Sequence, residues 1–520
     1  MNTNVRQAER VIDESGVVAL IEDCIAKIAG GPGRPRELSV RTLCVAHLLL
    51  PQSGRSHLIR IPEVLNALPA ADRKRLGITR KGGVTYRQVT RLYALITKAL
   101  DHRDERTLDD RLVDFDTLCD RLAYFSAHPE ARMLTSISLD ATDIATWGTN
   151  RRRKSKKVDT VGQRVATDPD ALYRGAKLNK KQQSSTTRDL PKKPPLYGYE
   201  MTTATTIRAL GGNPVPFATT SMRFRPVTKD TKKMGLAVVL SHQQRVGQLG
   251  DVLFDRGYNQ SNDGSDFILP IRALGGEPVF QLQSDQIGPS GTQHGAIIID
   301  GQPFSPSLPQ RLRVIPQPHV NSDLDKILDY QADIAQRAKY AMVPHGSRKD
   351  TGAQVYQCPA SAGNLICPLA ASSHGLPIGT MPAVYAPTSP IAGGVCTKKY
   401  QTFQADEIPL SQRELYGSRE WYDSVNRRNA VEGFFGNIKD HARENFRRGS
   451  VRVRGLVKTG LLAAFNVASV NMRMANKWDT ERGKTHKPAK PRMGRPRNIG
   501  VARHAEVFTS LASANAPPAA

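Results

Sequence analysis

The sequence predicts an α/β fold: a mixed sheet flanked by helices, interrupted by a mostly β insertion and preceded by an all-α N-terminal domain. Three observations predict it. Residues 1 to about 130 carry helical periodicity; from Met133 the apolar pattern shortens to alternating runs around one helical stretch; residues from about 275 to 420 are rich in Gly and Pro before helical periodicity returns. A chain of 520 residues has room for several domains. The expected boundaries are 1–130 (helical), 131–274 (first part of the core), 275–420 (insertion), 421–476 (last part of the core) and a basic, disordered tail, 477–520.

In the N-terminal domain, Thr85 and Gln88 have the spacing of a capping box, and VTYRQVTRLYALITKAL follows. Val89, Leu92, Tyr93 and Ile96 share one face of that helix, whereas Arg87, Arg91 and Lys98 share another. An apolar back and a basic front suit phosphate contact, as in helix-turn-helix modules.

The core elements follow in order. MLTSISLD reads as a strand ending at Asp140. LYGYEMTTATTI alternates Tyr197, Tyr199, Met201, Thr203, Thr205 and Ile207 on one side, and PVPFATTSMRF reads as a third strand. MGLAVVLSHQQRVG reads as a helix, DVLFD as a short strand ending at Asp255, and DFILPIRAL as a further strand. Three strands, a helix and two strands, with a helix arriving after a long interruption, is the element order of a ribonuclease H-like core carrying an insertion. Between the first two strands lies RRRKSKK, whose Arg151, Arg152, Arg153 and Lys154 read as a phosphate-binding loop. The insertion contains one helix, near SDLDKILDYQADIAQRAKYA.

A net charge of +26 points to a polyanionic partner. No apolar run approaches the roughly 18 residues of a membrane span, and the N-terminus lacks the layout of a signal peptide, so the expected partner is nucleic acid and the expected compartment the cytoplasm. Six scattered cysteines fit a reducing environment.

The stretch RRNAVEGFFGNIK, 427–439, places Val431, Phe434, Phe435 and Ile438 on one apolar stripe. Arg428, Glu432 and Lys439 fall within roughly 40° of one another beside it. As a plain i, i+4 ion pair, Arg before Glu is the weaker order and contributes only about 0.2–0.5 kcal/mol. Helix stability alone is therefore a thin motive for this acid.

Asp140 and Asp255 end strands, and Glu432 lies on a helix. From these places three carboxylates can converge. Hard cations such as Mg²⁺ take oxygen ligands, and a pair of them can stabilise the attacking and leaving oxygens of a phosphoryl displacement while compensating the repulsion among the acids. Asp143 projects from the other face of an extended strand than Asp140, and Asp251 precedes its apolar run where Asp255 follows it, so Asp140 and Asp255 are preferred. Glu200 and Asp423 read as structural or surface acids.

With SLDATD around Asp140, LFDRGY around Asp255 and RRNAVEGFFGNIK around Glu432, the chain resembles the DDE transposases of bacterial insertion sequences over roughly residues 131 to 476. One branch of that family carries Tyr, two residues, Arg, three residues, Glu, six residues, Lys. Arg428, Glu432 and Lys439 match the last three positions; Val425 stands at the tyrosine position and Tyr422 is displaced by three. The resemblance implies that Asp140, Asp255 and Glu432 hold two Mg²⁺ ions, with Mn²⁺ as a substitute, and that Arg428 and Lys439 hold phosphates of the element's ends. It also implies hydrolysis at those ends, attack of the freed 3′-hydroxyl on target DNA, and a homodimer pairing two ends. The alternatives are a DNA-binding descendant that no longer cuts, against which the intact acids argue, and a structure-selective nuclease on the same core, which the N-terminal domain and insertion fit poorly.

Cys358, Cys367 and Cys396, with His345 and His374 nearby, have the chemistry for structural Zn²⁺, but their spacings match no compact zinc ribbon, so unliganded thiols are expected. GRPR occurs at 33–36 and at 494–497; flanked by basic residues it resembles the AT-hook, whose arginines enter a narrow minor groove, and the first copy also reads as a turn before a helix beginning near Ser39.

Overall fold

The computed structural model describes residues 2–29, 36–51, 57–79, 81–148, 167–174, 196–227, 231–318, 322–348, 352–377, 379, 381–387 and 389–482. Arg151, Arg152, Arg153 and Lys154, most of the first GRPR and all of the second lie outside the described residues.

The chain opens with helices: α1 Asn2–Ser15, α2 Val17–Ile28, α3 Val40–Leu49, α4 Ile61–Asn66, α5 Ala70–Arg75, α6 Tyr86–Ala99, α7 Leu108–Arg111, α8 Val113–Ser126 and α9 Pro129–Arg132. Ser39 caps α3, and Thr85 caps α6 in a full capping box with Gln88. The faces of α6 fall as its periodicity requires: Val89, Leu92, Tyr93 and Ile96 are buried, and Arg87, Arg91 and Lys98 are exposed.

Next come β1 Ile137–Ala145, β2 Leu172–Arg174, β3 Leu196–Thr206, β4 Thr219–Pro226, α10 Thr231–Val246, β5 Asp251–Phe254, α11 Ile268–Ala273 and β6 Glu277–Phe280. These strands form one mixed sheet. β1 is antiparallel to β3; β2 and β4 pair with the far side of β3; β5 and β6 continue beyond β1 in parallel. β1 does not end at Asp140 but runs on to Ala145, because β3 matches it residue for residue from Ile137 opposite Thr206 to Ala145 opposite Gly198. The run DFILPIRAL holds the helix α11, not a strand: β5 and β6 are parallel and need a crossover, and Ile268 and Ile271 are buried one helical turn apart. The last strand, β6, lies within the stretch from about 275 that was expected to open the insertion.

The inserted segment holds two small antiparallel sheets, β7 Pro289–Gln293, β8 Ala296–Ile299 and β9 Gln302–Phe304, then β10 Val343–Ser347, β11 Gln354–Gln357 and β12 Tyr400–Phe403, with α12 Leu324–Ala338 between them. The chain closes with α13 Arg419–Asn426, α14 Asn429–Ile438 and α15 Leu456–Glu481, which continues past the expected start of the tail.

Helices cover both faces of the mixed sheet. On one, α14 and α15 join the N-terminal helices in a continuous apolar cluster with Ile144, Tyr199, Met201, Met222 and Phe224. On the other, α10, α11 and α13 pack around Ile137, Leu139, Val252, Leu253 and Phe254. The first cluster has a polar bolt. Asp120 of α8 is buried and accepts from Ser221 Oγ (2.7 Å), the Met222 amide (3.1 Å), Arg223 (2.8 Å) and Ser241 Oγ (2.6 Å), tying the helices before β1 to β4 and α10. Gly460 lets α15 come close: a Cβ there would stand 2.5 Å from the Phe115 ring. Among the described residues no helix is long and apolar enough to cross a membrane.

Candidate active site

Asp140 sits in the middle of β1, flanked by β3 and β5. Side chains alternate along a strand, so Ser138, Asp140, Thr142 and Ile144 share the face covered by α14 and α15, while Leu139 and Asp143 share the face toward α10. In the parallel pairing of β1 with β5, Ile137 stands opposite Val252 and Ser138 opposite Leu253. Carried two residues further, this register sets Asp255, just past the end of β5, abreast of Asp140. The turn DRGY fixes that carboxylate: Asp255 Oδ1 accepts from the Gly257 amide (2.8 Å), and a Cβ on Gly257 would stand 2.9 Å from the same oxygen.

The third acid arrives on α14. Its face of Val431, Phe434, Phe435 and Ile438 is buried as the sequence requires, which leaves Glu432 exposed at the border. Two adjacent arginines dock the start of this helix. Arg427 is buried and pairs with Asp251 at the start of β5 (2.7 Å). Arg428, whose carbonyl accepts from Ser138 Oγ (3.3 Å), turns its guanidinium into the site, to Asp140 Oδ2 (3.3 Å) and Glu432 Oε1 (2.7 Å). The i, i+4 ion pair forms, and the same guanidinium spans to an acid nearly three hundred residues away in sequence.

Asp140 lies within electrostatic reach of the other two acids. Burial first, then the charge of Asp255, pushes the Asp140 carboxyl up to about 6; Arg428 and the Ala141 amide offset part of this, and Glu432 adds to it. All three donors are carboxylates, the ligands that hard divalent cations take. Among the described residues no three His, Cys, Asp or Glu side chains are already drawn in to metal-ligand distance; two of these acids close on Arg428.

Lys439, at the end of α14, donates to Thr142 Oγ1 and to the Asp143 carbonyl oxygen (3.2 Å), two residues along β1 from Asp140 and its neighbour. It is half-buried, and burial lowers its pKa. The competing acids have other partners. Asp143 pairs with Arg174. Asp251 is buried, which acts to raise its pKa, but Arg413 and Arg427 hold its carboxyl below the ordinary range. Asp251→Ala should therefore cost about 2 kcal/mol of stability by stranding Arg427; a denaturant midpoint unchanged from the wild type would contradict this. Asp423 is exposed. Tyr422 and Val425 are buried in the cluster beneath α13, away from solvent.

Sequence reasoning missed three features. Glu200, set aside as structural, is buried opposite Asp143; burial raises its pKa, Thr231 Oγ1 donates to it (3.0 Å), and Asp140 and Asp143 add to the raise. Tyr258 is fully buried beside the acids, and its Cε1 would stand 2.6 Å from a Cβ on Gly235 of α10. The third is a basic segment. Between α14 and α15 the chain reads RENFRRGSVRVR, and Arg443, Arg447, Arg448, Arg452 and Arg454 are all exposed, with the Arg452 guanidinium 5.4 Å from the centre of the exposed Trp147 ring. Five arginines in twelve residues were the signal. Arg87, Arg91 and Lys98 are carried by α6, which packs against α2, α4 and α15, and Lys98 lines one cavity with Arg454 at the end of this segment.

No protein-family model matches the chain, and a search of curated proteins returns no match.

Proposed function

We propose that the chain is a DNA transposase with a ribonuclease H-like core, which binds the ends of its insertion sequence, cleaves them by metal-dependent hydrolysis and joins the 3′ ends to target DNA. One observation carries this reading: Asp140 of β1, Asp255 just past β5 and Glu432 of α14 come to one place, where the Arg428 guanidinium is shared between Asp140 and Glu432. The element order of the mixed sheet supports the core assignment.

The donor set fits divalent cations. Burial and a second carboxylate hold Asp140 near 6, and a bound cation would favour its ionised form. Asp140, Asp255 and Glu432 would hold two Mg²⁺ ions, or Mn²⁺. Such ions supply Lewis-acid stabilisation of the attacking and departing oxygens of an in-line displacement at phosphorus. Arg428 balances two of the acids in the chain as it stands; released from them, its planar fork suits a backbone phosphate. Lys439, its charge disfavoured by burial and fixed against β1, is placed to gain a phosphate oxygen as partner.

Double-stranded DNA as substrate draws support from the net charge of +26 and from the exposed arginines that follow Lys439 directly. Neutralised phosphates release counterions, so each contact has a measurable salt signature. Replacing Arg448, Arg452 and Arg454 together by alanine should weaken DNA binding at every sequence and reduce the slope of log affinity against log salt by about 2–3. An unchanged slope in a fluorescence-anisotropy salt titration removes this segment from the interface. The proposal as a whole is tested by incubating the protein and Mg²⁺ with DNA carrying the inverted repeats that flank its gene. Cleavage followed by strand joining supports a transposase; cleavage without joining supports the structure-selective nuclease.

A further inference from the structure

Cys358, Cys367 and Cys396 are separated by loops in the inserted segment, yet the fold gathers them. β11 and β12 pair antiparallel, ending with Gln357 opposite Tyr400, and one more backbone bond, from the Cys358 amide to the Lys399 carbonyl (3.0 Å), extends the ladder. That brings Cys358 beside the segment that carries Cys396, which sits inside the turn closed by the Thr397 amide on the Gly394 carbonyl (3.0 Å). The intervening loop folds back through the Ala362 amide on the Cys358 carbonyl (3.0 Å) and the Asn364 amide on the Pro359 carbonyl (2.9 Å). It delivers Cys367, whose amide is fixed by Ser373 Oγ (2.9 Å). All three cysteines are free, half-buried and line a single cavity of about 350 Å³.

Soft ligands converging on one space select a thiophilic ion, whose charge also stabilises them as thiolates. Lys398 and Lys399 line the same cavity. His374 donates from Nε2 to the Cys367 carbonyl (3.2 Å), the hydrogen bond that leaves Nδ1 with the free lone pair. The inserted segment is built on two sheets of three short strands each and on small apolar clusters, and an ion held by all three cysteines would cross-link its loops.

We propose that Cys358, Cys367 and Cys396 bind a structural zinc ion in the insertion, with His374 or a water completing a tetrahedron. Binding draws in the three sulfurs and releases their protons to solvent. The site uses only residues of the insertion and does not depend on the acids of the mixed sheet.

The experiment is elemental analysis of the full chain purified without added zinc. About one zinc per chain is expected, released to a chromophoric indicator when a mercurial titrates the thiols. In the variant with Cys358→Ser, Cys367→Ser and Cys396→Ser together, zinc should fall about tenfold or more. Should that variant not fold, Co²⁺ substitution in the unaltered protein decides the matter: thiolate-to-cobalt charge-transfer absorption is expected. Zinc retained by the triple variant, a cobalt form without that absorption, or an intact mass two hydrogens short from a disulfide overturns the proposal. None of these readouts involves DNA or Mg²⁺, so a failure here and a failure of the transposase reading are distinguishable.

Discussion

Asp140→Ala, Asp255→Ala and Glu432→Ala are each expected to lower DNA strand cleavage by about 10³-fold or more, while DNA affinity stays within about twofold. The magnitude follows from the chemistry. Stabilisation of a phosphoryl displacement by bound cations amounts to several kcal/mol, and each ~1.4 kcal/mol is a factor of ten in rate. Removing any one carboxylate takes an oxygen ligand from a site with only three acids. DNA affinity should survive because the exposed cations of α6 and of the segment after α14 lie on other residues. Asp143→Ala is the control: it stands three residues from Asp140 on the opposite face of β1, so it should keep cleavage within about tenfold. Full Mg²⁺-dependent cleavage by Asp140→Ala, Asp255→Ala or Glu432→Ala would remove that acid from the site.

Asp140→Asn should raise the stability of the metal-free protein at about pH 7 while abolishing cleavage. In the folded chain this carboxyl is held at about 6, above its ordinary value of 3.8, because it is buried and faces Asp255. A raised carboxyl favours folding in its protonated form. That contribution is complete below the unfolded value and is lost as pH rises through about 6. At about pH 7 the ionised Asp140 thus costs up to about 3 kcal/mol, a cost that asparagine of the same shape does not carry. The stability gain should shrink steadily from about pH 7 to about pH 4, where the folded wild type is protonated at this position. Denaturant melts across that range in a chelator check it. A gain independent of pH would mean that packing, not charge, sets the effect. Adding Mg²⁺ should narrow the gap, since only the wild type has the full set of ligands to gain from it.

Much of this site was legible because its residues sit where periodicity is strong. Glu432 stood out beside an apolar stripe whose four members are all buried, and Arg87, Arg91 and Lys98 were placed outward by the same reasoning. Asp255 could be preferred to Asp251 because a parallel strand opens at its carboxyl end, where DRGY makes its turn. Other features depended on pairing, which one sequence does not state. β1 passes Asp140 because β3 continues beside it, and DFILPIRAL, a short apolar run that fits either helix or strand, becomes a helix because β5 and β6 are parallel.

The two neighbouring arginines show the limit most clearly. Nothing in the letters RR distinguishes Arg427, which clamps Asp251 in the core, from Arg428, which spans Asp140 and Glu432. Their roles separate only because the junction of α13 and α14 lies across the starts of β5 and β1. The cysteines of the insertion are the same case. Their spacing carries no metal pattern, and it is the β11–β12 ladder that brings Cys358 next to the segment of Cys396.

The central claim is that three carboxylates from β1, β5 and α14 form one divalent-cation site. Its most direct test is a crystal structure of the DNA-bound protein soaked with Mn²⁺, with the ions located by anomalous scattering. The account requires anomalous peaks about 2 Å from oxygens of Asp140, Asp255 and Glu432, with the Arg428 guanidinium moved from the acids onto a phosphate. Manganese bound elsewhere, with Arg428 still closed on Asp140 and Glu432, would contradict it.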